Sequence, residues 1–508
     1  MILSLPPRWS ATLVLGWTSL LAPSFGLAEV QLPNIFTDHM VLQRDQANKV
    51  WGKADPGEPV TVAIASHQVS AVADPQGQWS VMLPKLPVGG PHEMLVRGKN
   101  QIAIQDVLVG EVWICSGQSN MQWTVDRAND PDLEKLASNF PRIRMINFPQ
   151  VGSQESIWSH DDRRWLVSNA ANVGGFSAVG YFFARQLHQT LDVPIGMINN
   201  AWGGSSCEAW IDRSVLEKAG GYETMLASWK SNEATLRDLE SKADKSEEDQ
   251  KKITALKRNL SGNHNPGNIY HGVLASHIGY GIRGAIWYQG ESNAARAYQY
   301  RQLFPLMISS WRNDWKQGDF PFYWVQLADF KAEVEDPAES EWAELREAQT
   351  LTMQALPKTG QAVIIDLGEG KDIHPKNKVD VARRLARWAL ANEYGISIPY
   401  RSPQYRAMEI IDDKVKLTFD HVDGGWRPFD VAAPQGFAVA GADHRFVWAD
   451  AQVQKDNSIV VSSPKVKQPV AVRYGWADNP VCNLFSAAGL PLTPFRTDDW
   501  PGITANAQ

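Results

Sequence analysis

Four short polar clusters in the 508-residue chain carry side chains suited to cutting an ester. The first lies in VWICSGQSNMQW, residues 112–123, where an apolar, β-favouring run from Val112 to Cys115 breaks off just before Ser119. The second is NNAWGGSSCEAW, with Gly203 and Gly204. The third is QGESN, with Gln289, Glu291 and Asn293, and the fourth is GEGKDIHPKNK, with Asp372 and His374. A serine hydroxyl is a poor nucleophile until a base takes its proton, and His374 is the candidate base. Asp372 is suited to fixing the imidazole tautomer and stabilising the imidazolium. A tetrahedral oxyanion needs donors aimed in advance: the Ser119 N–H, that of Gly203 or Gly204, and the Asn293 amide. Taken singly, each cluster has an ordinary alternative. Ser-Gly-Gln-Ser and Gly-Gly make turns, QGESN makes a helix cap, and a lone histidine is usually structural.

Placement separates the two readings. Each cluster follows a predicted strand: 106–115, 194–199 (PIGMIN), 284–288 (GAIWY) and 362–366 (AVIID). Two more strands are expected at 141–147 and 322–327. Apolar residues at helical spacing fall between them. Val179, Phe183 and Leu187 mark a helix in 176–190, Leu303, Met307 and Trp311 one in 297–315, and Val381, Leu385 and Trp388 one in 376–394. Gly395 is suited to end the last. Strand–helix alternation predicts an α/β fold, a parallel sheet with helices on both faces. Ligands bind such sheets beyond the carboxyl ends of the strands. That is where all four clusters fall.

Bulk properties narrow the class. A chain of this length divides into several domains. Its 44% hydrophobic and 21% charged residues suit a soluble globular protein with a large core. A net charge of −7 without a long basic run argues against a nucleic-acid partner. Residues 1–28 read as a secretory signal, with Arg8 the only charge, an apolar ATLVLGWTSLLA and a small-residue GLA ending at Ala28. Its removal takes the charge from −7 to −8 and leaves no membrane-spanning run, so the mature chain is expected to be exported and soluble. Residues 29–105 alternate as PVTVAI and QWSVML between turns and predict a small β-sandwich. The α/β part is assigned to 106–395, interrupted by a charged helical insertion at 220–262, and a second β-rich region to 396–508. Three cysteines, Cys115, Cys207 and Cys482, form no disulfide framework and lack zinc-ligand spacing. A Cys115–Cys207 bridge and two buried thiols both fit. Most of the 21 tryptophans are expected in the core, with a minority free to stack on sugar rings.

Met121 stands where an α/β-hydrolase elbow needs its second glycine. The four separated blocks instead resemble those of the SGNH (GDSL-like) hydrolases. CSGQSNM, WYQGESN, DIHPKNK and WAELREAQ (342–349) resemble the sialate O-acetylesterase family over most of residues 30–500. The resemblance implies an SGNH-type sheet and a serine esterase acting on O-acetyl esters of sugars without metal or organic cofactor. It implies Ser119 as nucleophile, His374 as base, and Gly203 or Gly204 with Asn293 in the oxyanion hole. One departure is local: a single residue, Ile373, separates Asp372 from His374, where many SGNH enzymes place two. Asp366, Glu369 or a backbone carbonyl therefore remain alternatives to Asp372. Gln118, Gln289, Glu291 and Arg346 are candidates to bind substrate or brace the site.

The motifs leave the sugar open. Sialic acid would need a cation in its pocket, with Arg283, Arg346 and Lys376 as candidates, whereas acetylated xylan would need aromatic platforms. A glycosidase using Glu291 and Asp372 as its carboxylate pair is a rival that leaves Ser119 idle. A carbohydrate-binding protein with a spent catalytic domain is another, and the intact Ser, Asn and His set argues against it.

Overall fold

A computed structural model describes residue 1 and residues 29–507; the expected signal segment, Met1 apart, lies outside the described residues. Its centre is a seven-strand run ordered Thr359–Ala362, Phe322–Val325, Gly284–Tyr288, Gln101–Gly117, Ile195–Asn199, Phe140–Asn147 and Leu166–Ser168. Every neighbouring pair is parallel except the last. The strands read as near-continuous apolar runs because both faces are covered. Along the central strand Val112 and Ile114 join one hydrophobic cluster, while Trp113 and Cys115 join the other. The period-2 alternation of a strand thus feeds two cores.

Helices Ala178–Leu191 and Lys378–Asn392 cover one face, and Ala297–Trp315 and Glu341–Ala355 the other. Ser177, Ser340 and Asn377 cap three of these helices, each accepting an N–H from the first turn. Val381, Leu385 and Trp388 are buried at i, i+4 and i+7, so that stripe seats its helix on the sheet. Of the tryptophans, Trp113, Trp165, Trp210, Trp287, Trp311 and Trp324 are fully buried core residues.

The central strand runs from Gln101 to Gly117 without a break. Its first half pairs antiparallel with Gly89–Arg97 in the N-terminal β-region, and Val41–Gln43 joins it in parallel. Around it lie the Pro59–Ile64 and His67–Val72 hairpin and the pair Asn48–Lys53 with Gln78–Leu83. The expected strand 362–366 is displaced. Thr359–Ala362 is the paired segment, and the last ladder bond runs from Gln326 N–H to the Ala362 carbonyl. Val363 and Ile365 then leave the sheet to pack in the C-terminal β-core. That region is antiparallel, its strands including Gln404–Ile411, Lys414–Asp420, Phe437–Ala440 and Ala471–Tyr474. The charged insertion folds as two helices, Glu223–Ser241 and Glu247–Leu260, the second with no buried residue. All three cysteines are free thiols, Cys115 and Cys207 buried. Among the described residues no helix is long and apolar enough to cross a membrane.

Candidate active site

At the carboxyl end of the sheet the chain leaves the central strand through Gly117 and starts a single helical turn, Ser119–Gln122. Gly117 sits at φ +131°, and a Cβ there would lie 2.2 Å from the Tyr288 carbonyl oxygen. Only glycine takes this bend so close to the adjacent strand. Ser119 is thereby lifted above the sheet, and its Oγ lies 2.9 Å from His374 Nε2. These two side chains stand 255 residues apart in the chain.

The imidazole is held on two sides. It stacks on Trp123 with centroids 4.8 Å apart and planes 14° from parallel. Its Nδ1 faces Asp372 Oδ1 at 3.3 Å, and the same oxygen accepts the His374 backbone N–H at 3.0 Å. A proton on Nδ1 toward the carboxylate leaves Nε2 free to accept from Ser119. Burial lowers the His374 pKa, the Asp372 charge opposes this, and Lys378 and Arg127 add to the lowering. The backbone N–H of His374 holds the Asp372 carboxyl below its ordinary value. The other local carboxylates are engaged elsewhere. Asp366 makes a two-pronged pair with Arg384, 2.6 Å in each arm, and Glu369 accepts the Lys376 N–H at 2.9 Å.

Asp372→Asn is expected to lower kcat about 10- to 100-fold. That is milder than the ~10⁴-fold loss where such a carboxylate is buried, because this one is partly open to water. The substitution removes a charge that stabilises imidazolium, so the acid limb of kcat/KM should move to lower pH. An unchanged kcat with an unmoved limb would take Asp372 out of the site.

The glycine loop packs directly on the nucleophile. A Cβ on Gly203 would lie 3.4 Å from the Ser119 Cβ and 2.8 Å from Gln122 Oε1. The Gly203 N–H donates to that Gln122 oxygen at 2.7 Å, which pins the loop but occupies the donor. Among the described residues the N–H groups of Ser119 and Gly204 have no partner. They are the donors left for an oxyanion.

The remaining sequence candidates are held mainly by the protein itself. Asn293 is 1% exposed; its Oδ1 accepts from Cys207 N–H and Gln289 Nε2, and its Nδ2 donates to Glu208 at 3.0 Å. Neither Ser119 nor His374 is among its partners, so Asn293 joins two loops. Gln289 is fully buried and takes the Tyr300 hydroxyl at 2.9 Å. Gln118 receives the N–H groups of Gly290 and Ser292. Arg346 is fully buried, and its guanidinium donates to the carbonyls of Leu327, Ala328, Ala477 and Asp478. Burial lowers its pKa to about 10, which still leaves it charged at neutral pH. Its donors are spent on backbone, so it braces the C-terminal region against the sheet. Glu291 accepts from Asn120 Nδ2 at 2.8 Å. The motif residues Asn120, Gln122, Trp123 and Lys378, which sequence reasoning passed over, surround Ser119 and His374 instead.

A cleft of about 820 Å³ adjoins the glycine loop, with Trp202, Arg258, Asn263 and His264 in its wall. Asn263 Nδ2 donates to the Gly203 carbonyl at 2.5 Å. The charged insertion therefore ends against the candidate oxyanion loop. Arg258 is exposed and makes no ion pair among the described residues, whereas Arg283 is bound to Glu111.

The profile of the carbohydrate esterase family described as sialic acid-specific acetylesterase matches residues 109–243 and 266–390. The chain is 27% identical to the sialate O-acetylesterase of Mus musculus over 507 residues, 90% of this chain and 92% of the mouse protein. It is 27% identical to that of Homo sapiens over 517 residues, 92% and 93% of the two chains. A crystal structure of a carbohydrate acetylesterase from Xanthomonas citri superposes with a TM-score of 0.81. That protein is 38% identical, and the match covers 93% of this chain and 100% of that one.

Proposed function

The chain belongs to the sialic acid-specific acetylesterase family of carbohydrate esterases, and on that premise we propose a Ser119–His374 esterase that removes O-acetyl groups from sugars. The observation that carries the mechanism is the 2.9 Å contact between Ser119 Oγ and His374 Nε2 beyond the carboxyl ends of a parallel sheet. His374 takes the Oγ proton as Oγ attacks the acetyl carbonyl carbon. The oxyanion is received by the N–H groups of Ser119 and Gly204. The sugar oxygen leaves with the proton from the imidazolium, and the acetyl group stays on Ser119. Water, deprotonated by His374, then attacks the acetyl carbonyl; the bond to Ser119 Oγ breaks, the imidazolium returns its proton to Oγ, and acetate leaves. Asp372 keeps the imidazole proton on Nδ1 throughout.

The sugar sits in the cleft beside the glycine loop, where Trp202 offers an apolar face and Arg258 an unpaired cation. That cation favours an acidic sugar, so O-acetylated sialic acid is the first substrate to test. The names of the mouse and human relatives support the same choice. The leader-like first 28 residues direct the enzyme out of the cytoplasm. Acetate release should be measured from O-acetylated sialic acid, acetylated xylan and acetylated monosaccharides, beside longer acyl esters. The expected order places acetyl-sialate first and long acyl esters last. Preference for acetylxylan would remove the sialate reading and keep the mechanism. A strong preference for long acyl chains would remove the carbohydrate reading altogether.

A further inference from the structure

The Ser119 and His374 loops meet over a buried polar cluster that the esterase steps do not use. Asn120, next to the nucleophile, is 1% exposed, and Lys378, at the start of the Lys378–Asn392 helix, is fully buried. Lys378 Nζ donates to Asn120 Oδ1 at 2.5 Å. Asn120 Nδ2 donates to Glu291 Oε1 at 2.8 Å and to the Ile373 carbonyl at 3.0 Å. The amide is thus held between a group that donates and two that accept. This fixes its orientation, since a flipped amide would set NH₂ against Nζ and oxygen against two oxygens.

Lys378 Nζ lies 5.2 Å from the Tyr288 ring and 5.9 Å from the Trp123 ring, the surface on which His374 stacks. Glu291 Oε2 is buried and has no partner among the described residues. Burial lowers Lys378 to about 7 and raises Glu291, while each charge partly restores the other. Two buried, opposite charges that make no direct ion pair among the described residues are a poor source of stability. Their geometry serves another end, because Asn120 follows the nucleophile and Ile373 precedes the base.

We propose that Lys378 and Glu291 are positioning residues that clamp the Asn120 amide between them, and that this clamp sets the Ser119–His374 distance by tying one loop to the other. The inference rests on the esterase reading of Ser119 and His374. A displacement of about 1 Å between reacting groups costs on the order of 10²-fold in rate. The clamp therefore acts on the chemical step rather than on sugar binding.

The test compares wild type with Lys378→Met, which keeps the aliphatic stem, Asn120→Ala, and the double variant. Each is assayed for kcat and KM on an acetyl ester, for the rate at which a serine-directed organophosphorus reagent modifies Ser119, and for thermal unfolding. Each single variant should lose about 10- to 100-fold in kcat and in labelling rate, with KM within roughly threefold. The double variant should be no worse than the poorer single, since the residues act as one unit. A Lys378→Met enzyme that is less heat-stable yet keeps full kcat and labelling would reduce the cluster to a packing role and overturn the proposal. Should Lys378→Met not fold, Glu291→Gln decides, because it keeps an acceptor oxygen and removes only the charge. It should fold and lose about 3- to 10-fold in kcat, and an unchanged kcat would overturn the clamp. A wild-type enzyme that neither cleaves acetyl esters nor labels at Ser119 would instead defeat the esterase reading itself.

Discussion

Ser119→Ala is expected to lower kcat for acetyl ester hydrolysis by about 10⁴-fold or more while the protein stays folded. The Oγ atom makes its hydrogen bond to His374 and to no other described residue, so its removal orphans no backbone group. Losing one partly exposed hydrogen bond costs about 1 kcal/mol of stability. The kinetic loss is far larger, because a 10⁴-fold change is about 5.5 kcal/mol of transition-state stabilisation. What survives should be the contribution of the cleft and the backbone donors, acting on water without a covalent intermediate. A chromogenic acetyl ester and a thermal melt settle the matter together. A folded variant that retains more than about a tenth of wild-type kcat, a loss of only about 1.4 kcal/mol, would remove Ser119 as nucleophile.

The parts of the fold legible in the sequence are those with one strong period. The strand Gly284–Tyr288 and the helix Ala297–Trp315 occupy the ranges expected of them. Where two environments meet along one element, the pattern misleads. The texture changes near residue 105, yet the strand runs on from Gln101 to Gly117. Its first residues alternate between exposed and buried over the N-terminal β-region, and from Val107 onward every residue is buried. The change in texture records what covers the strand, and the backbone does not break there. The 362–366 segment errs for a related reason. Val363 and Ile365 are apolar because the C-terminal core takes them, and not because they pair in the sheet.

The site divides along the same line. Ser119, Asp372 and His374 can be read because strand ends bring them together whatever the loops do. Gln118, Gln289, Asn293 and Arg346 sit in or near the motifs, but each has a partner distant in the chain: Gly290, Ser205, Glu208 and Ala477. A buried amide or guanidinium must spend its donors somewhere, and backbone or a neighbouring loop satisfies it as well as substrate does. Residue type alone does not distinguish the two. Lys378 is the converse case. A lysine opening a helix suggests a solvated head, and only the packing of the helix beneath Trp123 and Tyr288 buries it.

His374 should give kcat/KM an acid limb centred below pH 6.5, the ordinary imidazole value. The base works only when neutral, and burial beside Lys378 and Arg127 disfavours the charged ring more than Asp372 favours it. The pKa of the free enzyme is therefore lowered, and the neutral form dominates at pH 7. As pH falls through that pKa, each further unit should cost about tenfold in kcat/KM, since imidazolium has no lone pair for the Ser119 proton. His374→Ala should lower kcat by about 10⁴-fold and abolish this limb, leaving a slow, nearly pH-independent residue of activity. The stack on Trp123 makes a control available, because Trp123→Phe keeps an aromatic face and His374 keeps its base. Its limb should stay near the wild-type position, with kcat reduced by less than about tenfold. A wild-type limb centred above pH 6.5 would mean that Asp372 outweighs burial. A profile flat from pH 5 to 8 would mean that His374 is not the base.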